Sequence, residues 1–163
     1  MKNIKIIVED KELELSEETS KMVMSELKKE FPQVGDKYFF ISDVFIIGMA
    51  HFLDDEIDNK RIKIGNCYKT NEEAEKQRTK DEAIVRVKNY IKDNFGYDPE
   101  DWADWGDCNV DKYIIYYDYV ESEIDFDFNS MFKPNSFIGY IKTEDECEIL
   151  IKNCEEDLEL ICK

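Results

Sequence analysis

One local pattern occurs twice in this chain, and the repetition limits what the chain can fold into. Thr70 stands three residues before Glu73, and Thr143 stands three residues before Glu146. In each case the Thr hydroxyl can accept the free amide of the third helical residue while the Glu carboxylate reaches back to the cap. Each such cap contributes on the order of 1 kcal/mol. Both follow a glycine and an apolar stretch: Gly65-Asn66-Cys67-Tyr68-Lys69 in the first, Gly139-Tyr140-Ile141-Lys142 in the second. The echo extends upstream. Asp36-Lys37-Tyr38 opens an apolar run that reaches Asp43, and Asp111-Lys112-Tyr113 opens one that reaches Asp118. A unit of strands followed by one helix, present in two copies, explains this. The competing explanation is two ordinary strand-to-helix transitions that happen to be alike.

The predicted architecture is α+β: an antiparallel sheet, about three helices, an internal strand-strand-strand-helix repeat, and an N-terminal hairpin and helix. Residues 1–34 hold that hairpin and helix. Ile4 to Val8 pairs with a return strand at Leu13 and Leu15, and Ser16 caps a helix with a stripe at Val23, Leu27 and Phe31, beside Met24, that stops at Pro32. Residues 35–96 form the first unit, with strands at 38–41, 44–52 and 61–68, an acidic turn at 54–59 and a helix from Asn71 to about Asn94 closed by Gly96. The polar first half of that helix, Glu75 to Glu82, is expected to face solvent or a partner. Residues 97–109 are an acidic, aromatic connector. Residues 110–163 form the second unit, with strands at 113–119, 121–129 and 137–141, a loop around Lys133-Pro134-Asn135, and a final helix that Asn153 interrupts. All are expected to pack as one compact domain.

Chemistry-bearing constellations are sparse. There is no P-loop, no G-x-S-x-G and no G-x-G-x-x-G. His51 is the only histidine, and its apolar strand context suits a hydrogen-bonded strand residue better than a general base. Cys67 and Cys108 are the only conceivable nucleophilic partners for it. Cys147, Cys154 and Cys162 are spaced seven and eight apart, the spacing of small core residues on one helical face. No segment resembles a signal peptide or reaches membrane-spanning length, so the cysteines are expected as reduced thiols. Asp54 to Asp58 and the Asp101, Asp104, Asp107 series both lack calcium-loop spacing. Hence no catalytic residue, cofactor or metal ligand is assigned.

Charge is the distinctive bulk property. The 163 residues carry a net charge of −17, which disfavours binding to nucleic-acid phosphate and favours attraction to basic surfaces. The charge concentrates between Asp98 and Asn129, where eleven Asp and Glu face one Lys and eight aromatic residues are interleaved. Within it Glu121, Glu123, Asp125 and Asp127 alternate with Ser122, Ile124, Phe126 and Phe128. A strand would place those carboxylates on one face, roughly 6.7 Å apart. That row fits two readings: an ordinary amphipathic strand with a soluble outer face, or an imitation of a nucleic-acid backbone that docks in a basic groove. In the second, Asp101, Trp102, Asp104, Trp105 and Asp107 supply further partner contacts.

The N-terminal block, the Gly35-Asp36-Lys37-Tyr38 start and the Gly65-Asn66-Cys67-Tyr68-Lys69-Thr70 block with Glu72, Glu73, Ala74 and Glu75 resemble a group of small acidic phage and prophage proteins. Their shared block reads G-N-x-(F/Y)-x-T-x-E-E-A-E. Tyr68 stands here where Phe is more usual, and the second copy departs further. The group brings no active-site residues to carry over. The resemblance implies a phage accessory protein in the host cytoplasm, and proteins of that sort are often inhibitors of host defence. The leading expectation is therefore a non-enzymatic acidic inhibitor of anti-CRISPR or anti-restriction type. Its partner would be a basic, nucleic-acid-processing host protein, with no direct contact to nucleic acid or membrane. A scaffold module in phage replication or assembly and a small metal-dependent enzyme are the alternatives. The oligomeric state and the partner's identity stay open.

Overall fold

A computed structural model describes residues 5–8, 11–14, 16–19, 21–22, 31–129, 133 and 136–163. The predicted stripe residues Val23, Met24 and Leu27, and Pro134 and Asn135 of the predicted loop, lie outside the described residues. The fold is α+β. Strands β1 (Lys5–Val8) and β2 (Lys11–Glu14) form the N-terminal hairpin, and residues 17–19 and 21–22 are helical. Strands β3 (Lys37–Ile41) and β4 (Ile47–His51) form a second hairpin. Helices α1 (Glu56–Lys63) and α2 (Asn71–Phe95) follow it. Strands β5 (Lys112–Asp118) and β6 (Glu123–Asn129) form a third hairpin, and α3 (Glu144–Cys162) ends the chain. Each hairpin is a separate two-stranded antiparallel sheet among the described residues, where one antiparallel sheet was expected.

A hairpin and a later Thr-capped helix occur twice, but the expected third strand forms in neither unit. In place of the expected strand 61–68 stands α1, after which Gly65 adopts φ +75° and Tyr68 makes one bridge to Phe39. Asp55 caps α1 by accepting the Asp58 amide, Glu56 and Asp58 fill its first turn, and Lys60, Arg61 and Lys63 lie in its last. That charge order complements the helix dipole and outweighs the strand-like alternation of Ile62 and Ile64. The expected strand 137–141 likewise reduces to a single bridge between Ile141 and Tyr113. Both long helices carry the predicted Thr caps, and the full capping box forms at Thr70 only. Thr70 accepts the Glu73 amide at 3.1 Å and Thr143 accepts the Glu146 amide at 3.2 Å. Glu73 reaches back to the Lys69 and Thr70 amides, and Glu146 reaches back to the Lys142 amide. Gly96 ends α2 in the left-handed region, and Cys154 breaks the helical backbone of α3, one residue after the expected Asn153.

Aligned on their bridges, the two units correspond in a register one residue away from the Asp-Lys-Tyr match. The bridges equate Phe39 with Tyr113, so Tyr38 corresponds to Lys112 and Ile41 to Ile115. Burial agrees: Tyr38 and Lys112 are fully buried, and Ile41 and Ile115 nearly so. Each unit thus buries a long side chain with a polar tip, and each must satisfy that tip. In the first unit the Tyr38 hydroxyl donates to Asp58 Oδ1 at 2.5 Å and accepts from Arg61 at 2.7 Å. The Arg61 guanidinium lies 3.5 Å from the Phe40 ring centroid. In the second unit Lys112 Nζ donates to the Asp107 carbonyl at 2.5 Å and sits 5.4 Å from the centre of Trp105. Helix α1 does for Tyr38 what the connector does for Lys112.

Helix α2, about 37 Å long, joins the two units. Ala74 is buried near its N-terminus, and α2 packs on β3 and β4. Ala83, Val87 and Ile91 enter the main core with Ile115, Ile141 and the buried α3 residues Cys147, Leu150, Cys154, Leu158 and Ile161. Fully burying one such Leu or Ile side chain is worth about 1.5–3 kcal/mol. The exposed Arg86–Asp157 ion pair across the same helices contributes at most about 1 kcal/mol, so apolar packing sets the α2–α3 contact. The polar stretch Glu75 to Glu82 is mostly half-buried, contrary to expectation. Arg78 pairs with Glu75 and Glu82, Gln77 donates to Asp81, and Lys80 Nζ lies 5.0 Å from the Phe137 ring centroid.

Asp58 also accepts the Leu53 amide at 2.6 Å. Hydrogen bonds from Tyr38 and Leu53, the first the larger, hold its carboxyl below the ordinary 3.8. A carboxyl lowered on folding stabilises the protein fully above its unfolded pKa, and that stabilisation is lost as pH falls through the folded value. In urea unfolding, wild type should therefore exceed an Asp58→Asn variant at pH 7, with the difference closing below about pH 4. A pH-independent difference would contradict this.

Candidate functional site

Register places Tyr113, Ile115 and Tyr117 opposite Phe128, Phe126 and Ile124, so these share one face of the third hairpin. Tyr113, Ile115, Ile124 and Phe126 on that face pack into the core with α3. The opposite face pairs Ile114 with Asp127, Tyr116 with Asp125 and Asp118 with Glu123. Alternation thus delivers the acidic outer face that the sequence predicts. Its membership differs by one residue. Glu121 lies in the turn after β5 and not in the strand, because Ser122 at φ +60° separates it from β6. Asp118, from β5, joins Glu123, Asp125 and Asp127 instead.

The row is bounded at both ends. At one end the turn exposes Tyr119 and Val120, the latter 87% accessible. At the other, Trp105 and the Asp107 carbonyl cover Lys112, which lies opposite Asn129 at the end of β6. The connector residues themselves hold the fold. Trp102 Nε1 donates to the Tyr140 carbonyl at 2.6 Å, and its ring packs edge-on against Tyr97. Trp105 packs edge-on against Tyr140, with centroids 4.9 Å apart. Asp104 accepts the Gly106 amide, and the Asp107 carboxylate accepts from Asn109. Of this group Asp101 and Asp104 are exposed, while both tryptophans and Asp107 are half-buried.

Two carboxylates of the row have a second task. Asp125 Oδ1 accepts the amide of Phe126, and Asp127 Oδ1 accepts the amide of Phe128, each at 2.8 Å. Those amides point away from β5, because on β5 the residues opposite them are not the hydrogen-bonded partners: Tyr113 spends its amide and carbonyl on Ile141. The aspartates therefore close the open edge of the sheet against other strands. Asp125 Oδ2 also accepts from the Tyr116 hydroxyl at 3.2 Å. Burial first, and then the Asp125, Asp118 and Asp127 carboxylates, raise the Tyr116 pKa above its ordinary value.

Catalytic alternatives find less in the geometry. His51 is exposed on β4, its Nδ1 3.4 Å from the Gly35 carbonyl oxygen. Burial, and then the negative charge of Asp58, push the Cys67 thiol up, away from the thiolate that nucleophilic catalysis needs. Burial pushes Cys147 up to about 12. An open cavity of about 490 Å³ between the β3–β4 turn and α2 is lined by Asp43, Asp81, Tyr68 and Gln77. Among the described residues no three His, Cys, Asp or Glu side chains are grouped to hold a metal ion. With a disulfide-exchange reagent, exposed Cys108 should react at once and buried Cys147 only on unfolding. Fast labelling of Cys147 in the folded protein would contradict the core packing.

Among the described residues no helix is long and apolar enough to cross a membrane. Compared with known proteins, the chain matches no family model, no curated protein and no solved structure.

Proposed function

We propose that this is a non-enzymatic acidic binding protein that occupies a basic, nucleic-acid-binding surface of a host defence effector, in the manner of an anti-CRISPR or anti-restriction inhibitor. The observation that carries the reading is the outer face of the third hairpin. Asp118, Glu123, Asp125 and Asp127 line one face with Tyr116 among them, and the exposed Tyr119 and Val120 sit at the tip. Regularly spaced carboxylates beside aromatic and apolar contact points suit a groove whose cations otherwise meet phosphates. A chain-wide charge of −17 adds long-range attraction to such a groove.

Affinity capture from host lysate, washed with rising salt, tests this. A basic nucleic-acid-binding protein should be retained at low salt and released as salt screens the contact. Retention that is insensitive to salt, through a phage replication or structural protein, would replace this reading with that of a scaffold.

A further inference from the structure

The two equivalent hairpins treat their open edges differently. In the third hairpin Asp125 and Asp127 turn back onto the outward amides of β6. The second hairpin has nothing comparable on β4. Its inward bonds run through even-numbered residues: Ser42 donates to Ile46, Gly35 donates to Phe52, and Phe52 donates to Asp36. Ile47, Met49 and His51 therefore direct their amides and carbonyls away from β3. On β3 the outward amide and carbonyl of Phe39 both bond Tyr68 at 2.9 Å. No strand flanks β4 on its other side among the described residues.

The composition of that edge is also unusual for this chain. Residues 44–53, Val-Phe-Ile-Ile-Gly-Met-Ala-His-Phe-Leu, form its longest run without Asp, Glu, Lys or Arg. Val44, Ile46, Met49 and Leu53 are each more than half exposed. Acidic residues bracket the run, Asp43 on one side and Asp54, Asp55 and Glu56 on the other.

We infer that the β4 edge is a strand-addition site for an extended segment of a partner protein, apolar in its middle and basic at both ends. The backbone of the segment would pair with the outward groups of Ile47, Met49 and His51, and its basic ends would meet Asp43 and Asp54–Glu56 in either strand direction. A second copy of this chain fits poorly. Antiparallel pairing centred on Met49 sets Asp43 of one copy against Asp55 of the other, and both copies carry the same large negative charge. This site is separate from the acidic face and does not rest on the function proposed above.

The probe is a synthetic nonapeptide of alternating valine and threonine between terminal lysines. Hydrogen exchange should show the amides of Ile47, Met49 and His51 unprotected in the free protein and protected once peptide is added. Replacing the terminal lysines by glutamates should weaken binding on the order of tenfold or more. Met49→Pro removes one outward amide that β3 does not use, so it should abolish binding with the circular dichroism spectrum retained. Met49→Lys leaves the backbone intact and places a cation on the edge, with the same expected loss of the lysine-ended peptide. Protection of those amides already in the free protein, equal binding by the Met49→Pro variant, or protection that grows with protein concentration alone would overturn the inference.

Discussion

Gly139→Ala should destabilise the protein strongly. Gly139 has φ +89°, where a side chain is strained. A Cβ built there would lie 2.4 Å from the Pro99 carbonyl oxygen. That carbonyl accepts the Tyr140 amide at 2.8 Å, so the connector cannot retreat without losing the bond. The loss would spread: Tyr140 supports Trp105, and its carbonyl accepts from Trp102. Backbone strain and collision together should cost about 2–4 kcal/mol. For a chain of this size that lowers Tm by roughly 4–16 °C. Gly65→Ala is the control, because Gly65 has φ +75° but open space around it and should lose less. Equal losses at the two positions would show that strain alone, and not the approach of Pro99, requires glycine at 139.

The second large effect concerns binding. Reversing every acidic residue of the row to Lys would confuse recognition with folding, because Asp125 and Asp127 accept edge amides and Asp125 holds Tyr116. A cleaner variant combines Glu121→Lys and Glu123→Lys, both exposed, with Asp125→Asn and Asp127→Asn. The asparagines keep an oxygen for the Phe126 and Phe128 amides while removing charge. This variant should fold with nearly unchanged Tm yet bind the basic partner on the order of 100-fold more weakly, with a flatter salt dependence. Undiminished binding by the folded variant would leave the acidic face as a solubility feature.

The capped helices were legible because their signals are local. Thr70 with Glu73, Thr143 with Glu146, and Gly96 specify helix ends through neighbouring residues alone. The alternation of β6 was legible for the same reason. Helix α1 was not, because its eight residues carry few apolar positions and Ile62 and Ile64 alternate as a strand would. The slip between the Asp-Lys-Tyr match and the bridge-aligned register was also hidden. A lysine can occupy a tyrosine's buried position only if other groups meet its ammonium, and the Trp105 ring with the Asp107 carbonyl does so. The connector tryptophans look like exposed anchors in sequence but are half-buried, because Trp105 packs on Tyr140 and Trp102 bonds its carbonyl. Of the nine predicted partner-binding residues, Glu123, Asp125 and Asp127 share a strand face, Glu121 borders it, and of the connector set Trp105 and Asp107 reach Lys112 at its end. The edge-closing role of the two aspartates depends on which amides point outward, and alternation alone does not reveal that.

The most direct measurement is mutual exclusion. A captured basic partner, loaded with this protein, would be titrated with its nucleic-acid substrate at fixed low salt while bound protein is monitored. If the acidic face occupies the nucleic-acid surface, substrate should displace the protein completely, and the apparent affinity for substrate should fall in proportion to the protein added. A stable ternary complex, with substrate affinity unchanged, would contradict it.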